Sequence, residues 1–191
     1  MAIETHDVQT TMSEVIRQAA LGNACAFETL YDAYRSRLFH YFFHDTSDQA
    51  SAEELTQSFF VKLWRVLPRY QDRGLPFTAW LYRLAHNHLM DHFRSQRRCL
   101  SFNEPLDTAL GRCDEHADRE LQRSEDGFLL RRALATLRPK QREVVVMRFF
   151  QQLSTCEIAA ALGMTEGAVR VQQMRALQAL RRELDGQGVN R

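Results

Sequence analysis

The stretch FTAWLYRLAHNHLMDHFRSQRR, Phe77–Arg98, decides how the rest of the chain is read. Pro76 stands just before it, where a proline closes a loop and opens a helix. Placed on a helix, Leu81, Tyr82, Ala85, Leu89 and Phe93 gather on one side and form a core face. Trp80, Arg83, Asn87, Arg94 and Arg98 gather on the opposite side. Aromatic rings stack on unpaired bases, arginines neutralise phosphates, and an Asn can hydrogen-bond a base edge. The plainer alternative is a half-exposed Trp with its Arg neighbours stacked on the ring. This helix alone leaves both readings open.

Composition narrows the field. The chain has 191 residues, of which 45% are apolar, enough to bury a core in one large domain or two small ones. Only 8 Gly and 4 Pro occur, which favours helices over a many-turned β fold. The longest apolar run is Ile158–Leu162, too short to span a bilayer. The N-terminus MAIETHDVQTTMSEV has no apolar signal core, so a cytoplasmic protein is expected. Cys25, Cys99, Cys113 and Cys156 form no CxxC pair and have no His at ligand spacing, so free thiols are expected rather than a zinc site or disulfides. His40 and His44 lie four apart, but no carboxylate or Cys is placed to complete a metal site. No nucleophile–base arrangement or Gly-rich phosphate loop argues for an enzyme, and no cofactor is expected.

The net charge of +1 hides a pattern. Residues 1–99 hold 11 basic and 11 acidic side chains, residues 100–126 hold 3 and 8, and residues 127–191 hold 11 and 5. The middle segment also contains Pro105 and Gly111. It reads as a flexible acidic linker between two domains, 1–99 and 127–191. The fold class expected is all-α, two small helical domains, with nucleic acid as a partner at both ends.

In chain order, residues 1–11 read as a frayed tail, and Met12–Ala20 and Ala24–Tyr41 as helices broken at Gly22–Asn23. The next helix is AEELTQSFFVKLWRVLPRY, Ala52–Tyr70, with Ser51 as a candidate cap and Glu53 and Glu54 in the first turn. Leu55, Phe59, Leu63, Val66 and Tyr70 make one apolar face. Phe60, Val61, Trp64 and Leu67, with Gln57 among them, make a second. A helix apolar on two sides is either central in a bundle or keeps one side for a partner. A polar loop, Gln71–Pro76, then leads into the Phe77 helix.

AEELTQSFFVKLW followed by FTAWLYRLAHNHLMDHFRSQRR resembles conserved region two of the bacterial sigma-70 family of RNA polymerase sigma factors, most closely its extracytoplasmic-function (ECF) group. The resemblance implies that Glu54, Gln57, Phe60 and Trp64 contact core RNA polymerase. It implies that the Gln71–Pro76 loop, Trp80, Asn87, Arg94, Arg97 and Arg98 melt and read the −10 promoter element. Ser58 departs from the family, which usually carries an acid there.

The C-terminal part can be read on its own. Phe128–Thr136 and Lys140–Phe150, opened by Pro139, read as helices. Leu153–Leu184 then has the signature of a helix-turn-helix. Ser154 caps Thr155–Leu162, Ala159–Ala161 allows close approach, Gly163 turns the chain and Thr165 caps the second helix. Val169, Ala176, Leu177, Leu180 and Leu184 form its expected buried face. Arg170, Val171, Gln172, Met174, Arg175 and Gln178 lie around the rest and can enter a major groove. The bland alternative is a plain αα-hairpin. This stretch resembles conserved region four of the same family, which grips the −35 element through Arg170, Val171, Gln172, Met174 and Arg175. Gln172 stands where the family commonly has a basic residue, and Gln173 where it prefers an apolar one. A buried amide without a partner would cost about 1–3 kcal/mol.

The function expected is promoter recognition by a sigma factor bound to core polymerase, with an anti-sigma factor as a further candidate partner. The alternative is a stand-alone helix-turn-helix regulator that binds duplex DNA as a dimer, with the second apolar face of Ala52–Tyr70 as its seam. An interaction adaptor is a weaker third reading, because it leaves the basic C-terminal helix unexplained.

Overall fold

A computed structural model describes the backbone of residues 4–72, 74–100 and 132–186, with side chains at 12–72, 74–96 and 132–184. Among these residues every regular element is helical, as expected for an all-α chain. The elements are α1 (Glu4–Ala20), α2 (Ala24–Thr46), α3 (Gln49–Val66), a 3₁₀ turn (Leu67–Arg69) and α4 (Phe77–Leu100). After the helical residues 132–135 come α5 (Pro139–Val145), α6 (Thr155–Leu162) and α7 (Glu166–Gly186). The acidic linker expected at 100–126 lies outside the described residues, as does the start of the Phe128–Thr136 helix. The helices fall into two compact units, Met1–Thr46 with Ala50–Gly74, and Ser47–Gln49 with Leu75–Arg191.

In the first unit, α1 starts at Glu4, ahead of the expected Met12. Gly22 ends it in the left-handed region at φ 88°, where a side chain would be strained. Asn23 opens α2 by accepting the Ala26 N–H on its Oδ1 at 3.2 Å. Leu30, Tyr34, Leu38, Tyr41 and Phe42 of α2 are buried with Ala52, Leu55, Phe59, Phe60 and Leu63 of α3. Phe42 and Phe59 meet edge to face at 5.9 Å, a geometry aromatic quadrupoles favour. α3 begins at Gln49, so Ser51 lies inside the helix and is not its cap.

In the second unit, α4 packs on α6, and its Leu81, Ala85 and Leu89 are fully buried, while Phe93 is only half-buried. Three α4 side chains spaced one turn apart add polar contacts. Thr78 donates to the Glu157 carboxylate, and the Tyr82 hydroxyl donates to Gln151 Oε1 at 2.6 Å. His86 Nδ1 lies 3.3 Å from Glu143 Oε1, without the alignment of a hydrogen bond. Around α5 and α7, Ala133, Leu134, Leu137, Val145, Ala176 and Leu180 close a small core. The Arg142 guanidinium donates to the carbonyls of Leu134 and Ala135, both at 3.1 Å, and satisfies the open end of the helical turn before it.

The helix expected to run from Lys140 to Phe150 does not stay α-helical. From Val146 to Phe150 it widens into a π turn, with the Gln151 N–H bonded five residues back to Val146 at 3.1 Å. The extra residue leaves Val146 and Met147 buried and turns Phe149 outward.

The helix-turn-helix forms as its caps predict. Ser154 Oγ accepts the Glu157 N–H at 3.2 Å, and the Glu157 carboxylate takes the Ser154 N–H at 2.8 Å, a reciprocal capping box. Gly163 closes α6 at φ 65°. Thr165 Oγ1 accepts the Ala168 N–H at 3.2 Å and starts α7. Replacing Ser154 with Ala should cost about 0.5–2 kcal/mol, read as a lower urea midpoint at unchanged m-value.

Candidate nucleic-acid interface

On α3 one stripe faces outward: Glu54, Gln57, Val61 and Trp64 are all exposed. Trp64 is 40% exposed, and its other side rests edge-on against Phe27 at 4.8 Å between centroids. A large ring held by a neighbour and still open to solvent has little entropy left to lose on binding. Val61 belongs to this stripe by position. It is absent from the polymerase contacts that the family resemblance implies, although its i+3 and i−4 spacing to Trp64 and Gln57 is legible in the sequence.

Phe60 departs from the sequence-based expectation. It is 4% exposed and packed by Tyr31 at 4.6 Å, Phe59 at 5.8 Å and Phe27 at 6.3 Å. It supports the Trp64 stripe from below and cannot offer its own ring to a partner without unpacking α2. Leu67 is likewise fully buried. The second apolar face of α3 is therefore mostly covered within the chain, and the part left open is the stripe around Trp64. Ser58 turns its hydroxyl back onto its own helix, donating to Glu54 O at 2.8 Å.

On α4, Arg83, Asn87 and Arg94 are exposed as expected. Trp80 is half-buried, tilted against Phe77 at 5.5 Å. Arg94 pairs with Asp91 at 3.2 Å on a well-exposed surface, a contact worth about 0–1 kcal/mol that a phosphate can displace. The side chains of Arg97 and Arg98 lie outside the described residues. In the loop before α4, Asp72 Oδ1 takes the Gly74 N–H at 2.9 Å, which shapes the turn at φ 78°.

On α7, Val169, Ala176 and Leu180 are buried, while Arg170, Val171, Met174 and Arg175 are exposed. Gln172 is half-buried, and so is Gln173, so its amide is not sealed in the core. Leu177, expected on the buried face, is exposed instead: it lies past the edge of the arc that Val169, Ala176 and Leu180 cover. Arg170 is held by Glu166 one turn earlier at 3.0 Å. Among the described residues no three His, Cys, Asp or Glu side chains gather to hold a metal ion, and no helix is long and apolar enough to cross a membrane.

Fold and faces together define the class, an all-helical DNA-binding protein with a helix-turn-helix. The family Sigma-70 region 2 matches residues 30–99, and Sigma-70, region 4 matches residues 133–182. The ECF RNA polymerase sigma factor BldN of Streptomyces coelicolor is 34% identical over 175 residues, which cover 91% of this chain and 66% of that one. The ECF RNA polymerase sigma factor SigL of Mycobacterium tuberculosis is 31% identical over 175 residues, 91% of this chain and 97% of its own. Among solved structures, CnrH in complex with the cytosolic domain of CnrY matches with a TM-score of 0.68 at 26% identity, over 90% of this chain and 96% of that one. The sigma factor RpoE of Bartonella quintana, solved with the anti-sigma factor NepR, matches in fold with a TM-score of 0.69 at 21% identity, over 86% and 98%. The chain belongs to the sigma-70 family of RNA polymerase sigma factors, in its ECF group.

Proposed function

We propose that this chain binds core RNA polymerase through the α3 stripe of Glu54, Gln57, Val61 and Trp64, with Phe60 as the packed support beneath it. It reads the −10 element with Trp80, Asn87, Arg94, Arg97 and Arg98 on α4. It reads the −35 element with Arg170, Val171, Gln172, Met174 and Arg175 on α7. It contributes promoter choice rather than chemistry and acts in the cytoplasm. Its functional parts are residues 1–99, a linker at 100–126, and residues 127–191, with the matched stretches 30–99 and 133–182 falling inside the two outer parts. A protein antagonist of the anti-sigma kind is a further partner, a reading supported by the CnrH relative having been solved with a bound protein domain.

The observation that carries this reading is that each matched region presents an exposed helix face of the required chemistry. One is a mixed polar and apolar stripe centred on Trp64 for a protein and the other a basic face for a duplex. The test is to mix the chain with core polymerase, look for a 1:1 complex, and run transcription on a promoter library. A sigma factor gives both complex and initiation. A stand-alone regulator gives neither, and its dimer appears without polymerase. Arg175→Ala should lower use of promoters that depend on the −35 element by about 1–3 kcal/mol per lost base contact, read as binding at fixed salt.

A further inference from the structure

The outward arc of α7 is ordered from edge to edge. At 3.6 residues per turn, Val171, Gln178 and Met174 share its centre, within about 60° of one another. Arg175 and Arg182 border that centre on one side, Arg170 and Arg181 on the other, and all seven are exposed. Val171 is 40% exposed and Met174 53%. Single exposed apolar residues need no explanation. An apolar pair flanked on both sides by arginines does, because most apolar protein partners would have to desolvate those charges.

A major groove answers the pattern. It is about 12 Å wide, close to the diameter of a helix with its side chains, so phosphates line both borders while the centre of the arc faces the groove floor. Valine makes no side-chain hydrogen bond, and methionine offers only a weak sulfur acceptor. Pressed against a base donor or acceptor, they would leave it desolvated and unmatched. The apolar group that the groove floor offers is the thymine 5-methyl.

We infer that Val171 and Met174 are specificity residues that read thymine methyl groups on the floor of the −35 element. This rests on the assignment of α7 to that element. Gln178, between them, can take the hydrogen-bonding edge of an adenine in the same kind of pair.

The experiment uses the full chain assembled with core polymerase. Duplexes with a randomised upstream region are selected for binding. In the recovered −35 element each thymine, on either strand, is replaced one at a time by uracil, which removes only the methyl. Two neighbouring positions should each lose about fourfold in affinity, the effect of one buried methyl group. Val171→Asn should flatten the thymine-to-uracil ratio at one of them and Met174→Gln at the other. Both residues are exposed, so the fold should tolerate either change. Arg175→Ala should weaken thymine and uracil duplexes alike and leave the ratio intact. Uracil duplexes that bind as well as thymine ones, while Arg175→Ala still weakens binding, would overturn the methyl reading and leave α7 on the DNA. Insensitivity to Arg175→Ala as well would remove α7 from the −35 element altogether. Val171 and Met174 variants that lose affinity for core polymerase and not for DNA would assign the pair to a protein contact and sink the inference.

Discussion

Phe60→Ala should destabilise the protein by about 3–5 kcal/mol. The ring is almost wholly buried, and Phe27, Tyr31 and Phe59 approach it within 6.3 Å. Truncation would remove the transfer energy of the ring and the edge-to-face pairing, and it would leave a cavity between α2 and α3 that neighbouring rings cannot collapse to fill. Set against a typical total of about 5–15 kcal/mol, this is a large share of the stability. The readout is the urea midpoint followed by circular dichroism, with Phe60→Leu as the milder companion, since leucine keeps most of the apolar volume and opens a smaller cavity. If Phe60→Ala instead unfolds like the parent and loses only polymerase affinity, the ring faces outward in solution.

Trp64→Ala should do the reverse. Loss of a large exposed aromatic at the centre of a protein contact typically costs at least about 2 kcal/mol, roughly thirtyfold in the dissociation constant for core polymerase. The folded state should lose only its pairing with Phe27, about 0.5–1.5 kcal/mol, so the helical spectrum should persist. Equilibrium titration of labelled core enzyme separates the two quantities. Trp64→Ala with unaltered affinity would mean that the stripe on α3 is not the docking face.

These neighbours on one helix behave differently for a reason that periodicity could not supply. The spacing of α3 shows two apolar faces, but which parts stay open depends on Phe27 and Tyr31, thirty or so positions earlier. The caps of the helix-turn-helix, by contrast, are legible because they act within a few residues: Ser154, Gly163 and Thr165 hold the positions the sequence implies, whereas Ser51 fails as a cap because α3 already begins at Gln49. The π turn after α5 was not legible. Val144, Val145, Val146 and Met147 continue an apolar run, and nothing in it signals the π-type bond from Gln151 back to Val146 where the helix widens. Leu177 was misplaced because its position sits at the margin of the buried arc, where a small rotation decides exposure. The outward faces of α4 and α7 are readable because charge differs sharply between their two sides, with the described arginines of both helices on the exposed one.

The chain has two tryptophans, and they fall on separate proposed contact faces, Trp64 on α3 and Trp80 on α4. Each indole is therefore a built-in optical reporter of a different event. Trp64, open to solvent, should emit to the red and move to the blue when a protein covers it. Trp80, already half-shielded beside Phe77, should instead be quenched when a nucleobase stacks on it. With one ring replaced by phenylalanine at a time, assembly of the enzyme and opening of the promoter could be timed in the same cuvette without any attached dye.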